Sequence, residues 1–221
     1  MRSKNFLISF SGIDGSGKTM ISKMIIGILG ERGIKCQYIY GRLKPFVSRP
    51  LIWIGGKFLK KKNTSYLAYL SDKRRLMKKH SILSKIYKNI LLLDYSLQLI
   101  FKVTIPYMLG KNIICDRYIY DTIINDIAID MELPISETNN LIRRFLKIAP
   151  EPAIAFLIDL PEEIAFQRKS DIPSIEYLRE RKNLYLSIGS EFNMIILNGA
   201  ENPENIKETV LEILIKADLI Q

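Results

Sequence analysis

The segment from Asn5 to Ile28 constrains the fold of this chain more than any other part of the sequence. It begins with a short apolar run, Phe6 to Phe10, which is typical of a strand buried on both faces. A glycine-rich sequence follows at residues 12–19, and after it apolar residues recur at helical spacing. A strand, a glycine-rich turn and a helix in this order predict a phosphate-binding loop.

The residue types of this loop suit a nucleoside triphosphate. Glycines let the backbone wrap closely around phosphate oxygens, and the backbone N–H groups and the helix N-terminus supply positive partial charge. We expect Lys18 to reach the β- and γ-phosphates and the Thr19 hydroxyl to ligate Mg²⁺. The loop residues predicted to bind ATP are Gly12, Ile13, Asp14, Gly15, Ser16, Gly17, Lys18 and Thr19.

The bulk properties narrow the class of protein. A chain of 221 residues with 48% hydrophobic residues suits one α/β domain with a sizeable core. The apolar run near the N-terminus is short, so we expect no signal peptide, and two cysteines in predicted strands suit the reducing cytoplasm. The most membrane-like stretch is Ile90 to Leu109, but its polar residues and proline favour a buried amphipathic helix.

Positive charge is concentrated in one part of the sequence. The formal net charge is +10, which suits an enzyme that handles polyphosphates, and much of it lies between Lys57 and Lys79. This basic stretch has two interpretations: a solvated helix face, or a patch for nucleic acid or a membrane surface. Because no nucleic-acid motif accompanies it, we favour the solvated face and expect neither partner.

Strand-like and helical segments alternate along the chain, which predicts a parallel sheet with helices on both faces. We predict strands at residues 6–10, 35–40, 112–115, 153–159 and 193–197. We predict helices at residues 66–80, 82–109, 119–129, 136–148, 174–188 and after Pro161 and Pro203, with Ser136 as an N-cap and a loop with a short helix at 43–64. The fold class is therefore α/β, a three-layer P-loop NTPase sandwich with a five-stranded parallel sheet, and residues 1–221 form a single domain.

Asp116 narrows the chemistry further because it stands at the end of the third predicted strand. A carboxylate in that place is the usual second Mg²⁺-associated group beside a phosphate loop, although aspartate at a strand end also serves as a simple cap. Arg117 points toward the same crevice, and Arg42 follows the second strand. No Asn-Lys-x-Asp sequence is present, which argues against a GTPase.

Four stretches of the sequence resemble the thymidylate kinase family of nucleoside monophosphate kinases. They are the loop at residues 10–19, the arginine at Arg42 after the second strand, the Asp-Arg-Tyr motif at residues 116–118, and residues 150–168. The resemblance covers nearly the whole chain, and only residues 43–63 match poorly. It implies a homodimeric, cytoplasmic, Mg²⁺-dependent kinase that transfers phosphate from ATP to a nucleoside monophosphate, with dTMP as the expected acceptor and dTDP as the product.

The resemblance also implies roles for individual residues. Those implied in catalysis are Lys18, Asp14, Arg117 and Arg168. Arg168 opens a lid at about residues 168–174, and together with Asn198 and Ala200 it joins the loop in binding ATP. The residues implied to bind the acceptor are Asp14, Arg42, Gln98, Arg117, Tyr118 and Asp121. Thr19 and Asp116 are implied to hold the metal.

The departures from the family pattern cluster on the acceptor side. Residues 42–46 replace the usual Arg-Glu-Pro-Gly-Gly, Gln98 falls where an arginine is usual, and Asp121 replaces a serine. Gln98 can still hydrogen-bond a pyrimidine edge but cannot neutralise a phosphate. Two alternatives to dTMP phosphorylation stay open: a kinase of this fold with another small acceptor, and a nucleotide-bound module that docks on nucleic acid or membrane through the basic stretch.

Overall fold

The structure, a computed structural model, describes residues 5–46, 48–49 and 66–220. Five strands of this part form one parallel sheet in the order β2-β3-β1-β4-β5. The strands are β1 (Leu7–Ser11), β2 (Cys36–Tyr40), β3 (Asn112–Asp116), β4 (Ile154–Asp159) and β5 (Ile195–Asn198). The predicted five-stranded parallel sheet is confirmed, and β1 lies at its centre.

Helices connect the strands. They are α1 (Lys18–Glu31), α2 (Tyr66–Lys79), α3 (Ser81–Leu99), α4 (Ile105–Met108), α5 (Ile119–Ile123), α6 (Ile129–Met131), α7 (Ile135–Phe145), α8 (Glu162–Arg168), α9 (Ile175–Glu191) and α10 (Pro203–Lys216). Two π-helical turns, Ile100–Thr104 and Ile124–Ala128, join α3 to α4 and α5 to α6. The sequence pattern predicts each of these pairs as one helix, because a π-helical turn keeps the helical direction.

Two apolar clusters cover the two faces of the sheet. Successive residues of β1 divide between them, since Leu7 belongs to one cluster and Ile8 to the other. The cluster around Ile8 contains Ile25 of α1 and Val210 of α10, whereas the cluster around Leu7 contains residues of α3, α5, α7 and α9. Both faces of the sheet are therefore buried, which explains the continuous apolar sequence of β1.

The start of α7 differs from the prediction. Ser136 was expected to be its N-cap, but the N-cap is Pro134 and the helix begins at Ile135. The Pro134 carbonyl accepts the Thr138 backbone N–H and the Thr138 hydroxyl, both at 3.0 Å, and no side chain caps this end of the helix among the described residues. Proline at the cap fixes an extended backbone before the helix, and Ser136 is left in the first turn.

The stretch from α3 to α4 is apolar on more than its inner face. By length and composition alone, Ser84–Met108 could cross a membrane, and 33% of its most apolar window is buried. Leu91, Tyr95 and Leu99 pack into the core, as expected for a buried amphipathic helix. The outer face is apolar as well, with Leu93, Leu97, Phe101, Ile105 and Met108 exposed.

Part of the basic stretch can be examined directly. Its lysines at positions 57, 60, 61 and 62 lie outside the described residues, as do residues 47 and 50–64 of the predicted loop. On α2, Lys73 pairs with Asp130 and Arg74 with Glu180. Lys78 pairs with Glu132, whereas Arg75 and Lys79 are exposed and form no ion pair with the described residues. Three of the basic side chains of this helix are thus paired within the fold and two face solvent, which favours a solvated helix face over a free anion-binding patch.

Candidate active site

The glycine-rich loop lies at the carboxyl edge of the sheet, between β1 and α1. Gly12, Gly15 and Gly17 have φ angles of 143°, 85° and 93°, in the region that glycine adopts readily. A Cβ atom on Gly12 would lie 2.6 Å from the Ile158 carbonyl oxygen, and one on Gly15 would lie 2.5 Å from the Ala165 carbonyl oxygen. The loop is thus packed against β4 and α8, and only glycine fits at these two positions.

Lys18 is buried within the loop. Its ammonium donates to the carbonyl oxygens of Gly12 and Ile13 at 2.8 and 2.6 Å, and to the Ser16 hydroxyl at 3.2 Å. Burial, together with the nearby charge of Arg117, lowers the pKa of Lys18 to about 7. A phosphate would give this ammonium the charged partner that the loop's neutral oxygens do not provide.

Asp116 stands at the tip of β3, beside the start of α1. Its Oδ2 accepts hydrogen bonds from the Thr19 hydroxyl at 2.5 Å and from the Tyr38 hydroxyl at 2.7 Å. Its Oδ1 is buried and has no hydrogen-bond partner in the described part of the chain. A hydroxyl next to a carboxylate with one spare oxygen is a donor set that fits Mg²⁺.

The described residues include no group of three or more histidine, cysteine or carboxylate side chains that would hold a metal by themselves. This agrees with the chemistry expected of Mg²⁺, which keeps several water ligands and is bound through one or two protein groups plus substrate phosphates. Thr19 and Asp116 therefore fit a metal that arrives with a nucleotide.

Asp14 and Arg117 form an ion pair across the crevice. Arg117 Nη2 donates to Asp14 Oδ1 at 2.5 Å, and the Tyr177 hydroxyl donates to Asp14 Oδ2 at 3.1 Å. Burial alone would raise the pKa of Asp14, but the charges of Arg117 and Lys18 outweigh it and hold that pKa well below its usual range. Asp14 is therefore a carboxylate whose two oxygens both have partners.

The backbone of Arg117 adopts a conformation that is uncommon outside glycine, with φ at 67°. Its carbonyl lies against Gly41, where a Cβ atom would be only 2.3 Å away. Strained residues of this kind persist where the surrounding structure holds them, and they cluster at functional sites. Gly41, immediately before Arg42, is the close contact that allows Arg117 this conformation.

Arg42 also has a carboxylate partner. Its Nη2 and Nε donate to the two oxygens of Asp126 at 2.7 and 3.0 Å, a bidentate pair. Asp126 lies in the π-helical turn after α5, and burial raises the pKa of this carboxyl although Arg42 acts to lower it. The arginine predicted to grip the acceptor phosphate is thus held by a residue that the sequence analysis did not single out.

Two residues predicted to contact the acceptor lie in the interior instead. The Tyr118 side chain is completely buried, and its hydroxyl donates to the Pro150 carbonyl at 2.8 Å. Asp121 is also completely buried, and it accepts hydrogen bonds from the Ser11 and Tyr185 hydroxyls, both at 2.7 Å. Neither side chain is placed to touch an acceptor, because their polar atoms are taken up by groups of the fold.

Although it is buried, Asp121 interacts with Arg117 and with the backbone at the crevice. Its Oδ1 lies 3.9 Å from Arg117 Nη1, and its Oδ2 accepts from the Tyr118 backbone N–H at 3.3 Å. The carboxylate therefore caps the start of α5 and stabilises the guanidinium next to the loop. Where the family pattern has a serine, this chain carries a buried charge that supports Arg117.

Gln98 is engaged with the chain after β2. Its Nε2 donates to the Lys44 carbonyl at 2.8 Å, and its Oε1 accepts from the Lys44 N–H at 3.3 Å. Nε2 also donates to Asp94 Oδ1 at 3.0 Å. Both ends of the amide are used to hold the backbone of residue 44, so a base contact through Gln98 would require it to give up these bonds.

Arg168, which is expected near the adenine, contacts the turn after β5. Arg168 Nη1 donates to the Gly199 carbonyl at 3.3 Å, and Asn198 Oδ1 accepts from the Ala200 N–H at 3.1 Å. Gly199 packs against β4, where its N–H donates to the Asp159 carbonyl at 2.6 Å. The lid-side arginine and the turn after β5 are therefore in contact, and they adjoin β4 and α8, the two elements against which the loop packs.

Several residues of this region are not predicted from the sequence. They are Tyr38, Asn125, Asp126, Tyr177, Arg181 and Tyr185. None belongs to a recognisable motif, and their neighbours come from distant parts of the chain. One signal was available for two of them, since Asn125 and Asp126 are polar residues within an otherwise isoleucine-rich helical segment.

Comparison with known proteins identifies the family. No family model matches the chain. The chain is 32% identical over 215 residues to a probable thymidylate kinase of Sulfolobus acidocaldarius, with 94% of this chain and 93% of that protein covered. It is 28% identical over 221 residues to the thymidylate kinase of Leptospira borgpetersenii serovar Hardjo-bovis (96% and 95% covered), and 27% identical over 216 residues to a probable thymidylate kinase of Archaeoglobus fulgidus (94% and 94% covered). With this identity along nearly the whole length, and with the loop and the Asp-Arg-Tyr motif at one edge of the sheet, the chain belongs to the thymidylate kinase family.

Proposed function

We propose that this chain transfers the γ-phosphoryl group of ATP to dTMP, giving dTDP and ADP. The observation that carries the proposal is the convergence of Lys18 in the loop with Arg117 and Arg42 at the carboxyl edge of the sheet. Two planar guanidinium groups suit the acceptor phosphate, because each matches two phosphate oxygens. The family membership of the chain supports dTMP as that acceptor.

Phosphoryl transfer needs positioning and charge stabilisation more than a covalent nucleophile. The loop N–H groups and Lys18 are suited to bind the donor phosphates. Arg117, held by Asp14 and supported by Asp121, is suited to stabilise charge that develops between donor and acceptor. Arg42 binds the acceptor phosphate, and Arg168 with the turn at residues 198–200 borders the adenine.

Thr19 and Asp116 are the residues that would hold Mg²⁺. Bound with ATP, the metal neutralises charge on the phosphates. We expect Asp116→Asn to weaken Mn²⁺ binding to the ADP complex, measured by electron paramagnetic resonance with Mn²⁺ as the probe. Unchanged Mn²⁺ affinity in that variant would exclude Asp116 from the metal site.

A coupled assay across nucleoside monophosphates tests the proposed acceptor. Turnover of dTMP in preference to dUMP, dCMP, AMP and GMP supports the proposal. If the enzyme turns over another acceptor and not dTMP, the chain is a kinase of this fold with a different substrate. Salt-sensitive binding to nucleic acid or vesicles without any turnover would support the docking module instead.

We also propose that the enzyme is a cytoplasmic homodimer, with the outer face of α3 and α4 as the interface. Leu93, Leu97, Phe101, Ile105 and Met108 are 40–79% exposed and recur every three or four residues along one face. A second copy of the same face would bury this apolar stripe. Both cysteines are free thiols, which suits the cytoplasm.

The oligomeric state can be tested with one interface variant and a matched control. We expect the wild-type mass by light scattering to be that of a dimer, and Phe101→Asp to give a monomer. Ile215 is also exposed and apolar but lies on α10, so Ile215→Asp should leave the mass unchanged. A monomeric wild type that binds lipid vesicles would assign the stripe to a membrane surface instead.

A further inference from the structure

Arg181 on α9 is a buried cation that has no role in the reaction proposed above. Only 5% of the residue is exposed. It forms no ion pair with a carboxylate anywhere in residues 5–46, 48–49 and 66–220, and its hydrogen-bond partners there are neutral. A buried guanidinium without a countercharge is costly, so a ligand that brings a hydrogen-bond acceptor to it would stabilise it.

The neutral partners hold the guanidinium in one orientation. Its Nε donates to Asn125 Oδ1 at 2.9 Å, and its Nη1 donates to the Tyr66 hydroxyl at 2.9 Å and to the Tyr177 carbonyl at 3.1 Å. The guanidinium carbon lies 3.4 Å from the centre of the Tyr177 ring. An arginine has five N–H donors, and the two on Nη2 donate to none of the described residues.

Arg181 lies next to both acceptor-side ion pairs. Tyr177, which supports its guanidinium, donates through its hydroxyl to Asp14, the partner of Arg117. Asn125, which accepts from Nε, is adjacent in sequence to Asp126, the partner of Arg42. The free nitrogen therefore belongs to a cluster that joins the two arginines proposed to bind the acceptor phosphate.

A hydrogen-bond path leads from Arg181 to a buried carboxylate without neutralising it directly. Asn125 Nδ2 donates to the Tyr185 hydroxyl at 2.8 Å, and that hydroxyl donates to Asp121 Oδ1 at 2.7 Å. Two neutral groups thus separate the cation from the carboxylate. The path fixes Asn125 and so orients Nε, and the positive charge of Arg181 stays available to a ligand.

We propose that Arg181 is a specificity residue that recognises a carbonyl oxygen of the acceptor's pyrimidine base through Nη2. This inference rests on the proposed function, since it names the group of dTMP that is recognised. It also explains how the base could be contacted although the Gln98 amide is already hydrogen-bonded to the backbone of Lys44. In this chain a charged donor on α9 supplies the base contact that an uncharged, occupied amide on α3 does not.

The chemistry predicts which bases are accepted. Nη2 carries two donors and a positive charge, so it favours an oxygen acceptor and disfavours an amino group, which is itself a donor. Thymine has a carbonyl where cytosine has an amino group. Arg181 therefore favours dTMP over 5-methyl-dCMP, which keeps the methyl but has an amino group in place of the carbonyl and no hydrogen on the adjacent ring nitrogen.

The test compares Arg181→Gln with Arg179→Gln, an exposed arginine of the same helix that pairs with Glu162. We expect Arg181→Gln to raise the KM for dTMP by about tenfold or more while the KM for ATP stays within about twofold. The ratio of kcat/KM for dTMP over 5-methyl-dCMP should fall by a similar factor. Arg179→Gln should change none of these quantities.

Other outcomes distinguish a failure of the inference about Arg181 from a failure of the proposed function. If Arg181→Gln lowers kcat/KM equally for both acceptors and leaves their ratio unchanged, Arg181 is structural and the inference is wrong although the enzyme phosphorylates dTMP. If Arg181→Gln does not fold, the wild type decides: equal kcat/KM for dTMP and 5-methyl-dCMP would overturn the inference. If the wild type does not phosphorylate dTMP at all, the proposed function fails, and the inference fails with it.

Discussion

The donor and acceptor sides of the crevice hold phosphate groups with different parts of the chain. The donor side is a loop of main-chain N–H groups, and its shape depends on glycines that pack directly on β4 and α8. The acceptor side consists of two arginines, each already paired with a carboxylate from elsewhere in the fold: Arg117 with Asp14, and Arg42 with Asp126.

This difference explains where the chain departs from its family. A backbone site tolerates little change, because a single Cβ atom would collide with neighbouring carbonyl oxygens. A side-chain site can be rebuilt residue by residue, provided that the buried polar and charged groups keep hydrogen-bond partners. Two of the departures from the family resemblance, Gln98 and Asp121, are side chains on the acceptor side that have partners within the fold, while the loop keeps the full phosphate-binding pattern.

The largest expected effect comes from a substitution on the donor side. Lys18→Ala should cost about 3 kcal/mol or more of transition-state stabilisation, roughly a hundredfold in kcat, because the ammonium is the positively charged group of the loop. Steady-state kinetics and a thermal melt measure the two consequences, and the melt should show a folded protein. Lys23 is an exposed lysine of the same helix, and Lys23→Ala should behave as wild type. Turnover of Lys18→Ala within tenfold of wild type would contradict this role.

A second change affects the acceptor side alone. Arg42→Lys keeps the positive charge but loses the planar guanidinium group. We therefore expect it to weaken dTMP binding by about 1–3 kcal/mol and to leave the KM for ATP nearly unchanged. Varying ATP and dTMP separately measures both constants. Arg144→Lys, at an exposed position on α7, is the control. A shift in the ATP constant with no shift for dTMP would mean that the two sides are assigned the wrong way round.

A third change tests whether the acceptor side depends on backbone contact as the loop does. Gly41→Ala places a Cβ atom 2.3 Å from the Arg117 carbonyl oxygen, and we expect it to lower the free energy of unfolding by about 1–3 kcal/mol and to raise the KM for dTMP. Gly27 is the matched control, because a Cβ there meets no heavy atom within 4 Å. Gly27→Ala in α1 should instead stabilise the fold by about 0.5–1 kcal/mol. Equal stabilities in urea for both variants would show that the close contact at Gly41 is unimportant.

The smallest expected effect sharpens the description of the loop without nucleotide. The pKa of Lys18 in the folded protein, about 7, lies below the ordinary lysine pKa of 10.5 because the ammonium is buried. Between these values the unfolded chain binds more protons than the folded one, so Lys18 makes the free energy of unfolding increase with pH, by at most about 1.4 kcal/mol per pH unit. Lys18→Met should lack this increase, and urea melts at pH 7, 8 and 9 compare the slopes. Parallel slopes for wild type and variant would contradict the low pKa.

Much of the fold followed from local sequence. The loop at residues 12–19 and the alternation of strands and helices predict the parallel sheet, because each depends on residues that are near one another in the chain. The π-helical turn at Ile124–Ala128 and the early start of α7 were missed, since neither changes the apolar spacing enough to be recognised.

The sequence by itself determined the donor side of this protein. Glycine spacing, the lysine and the threonine specify a backbone shape whose interactions are mostly local, and Asp116 is found by its place at the end of an apolar strand. Tertiary structure alone decided which partners hold the acceptor-side arginines. The pairs Arg42–Asp126 and Arg117–Asp14 join residues 84 and 103 positions apart, and Arg181 reaches Asn125 across 56. The energy of a buried charge depends on the partners around it, and those partners are brought together only when the chain folds.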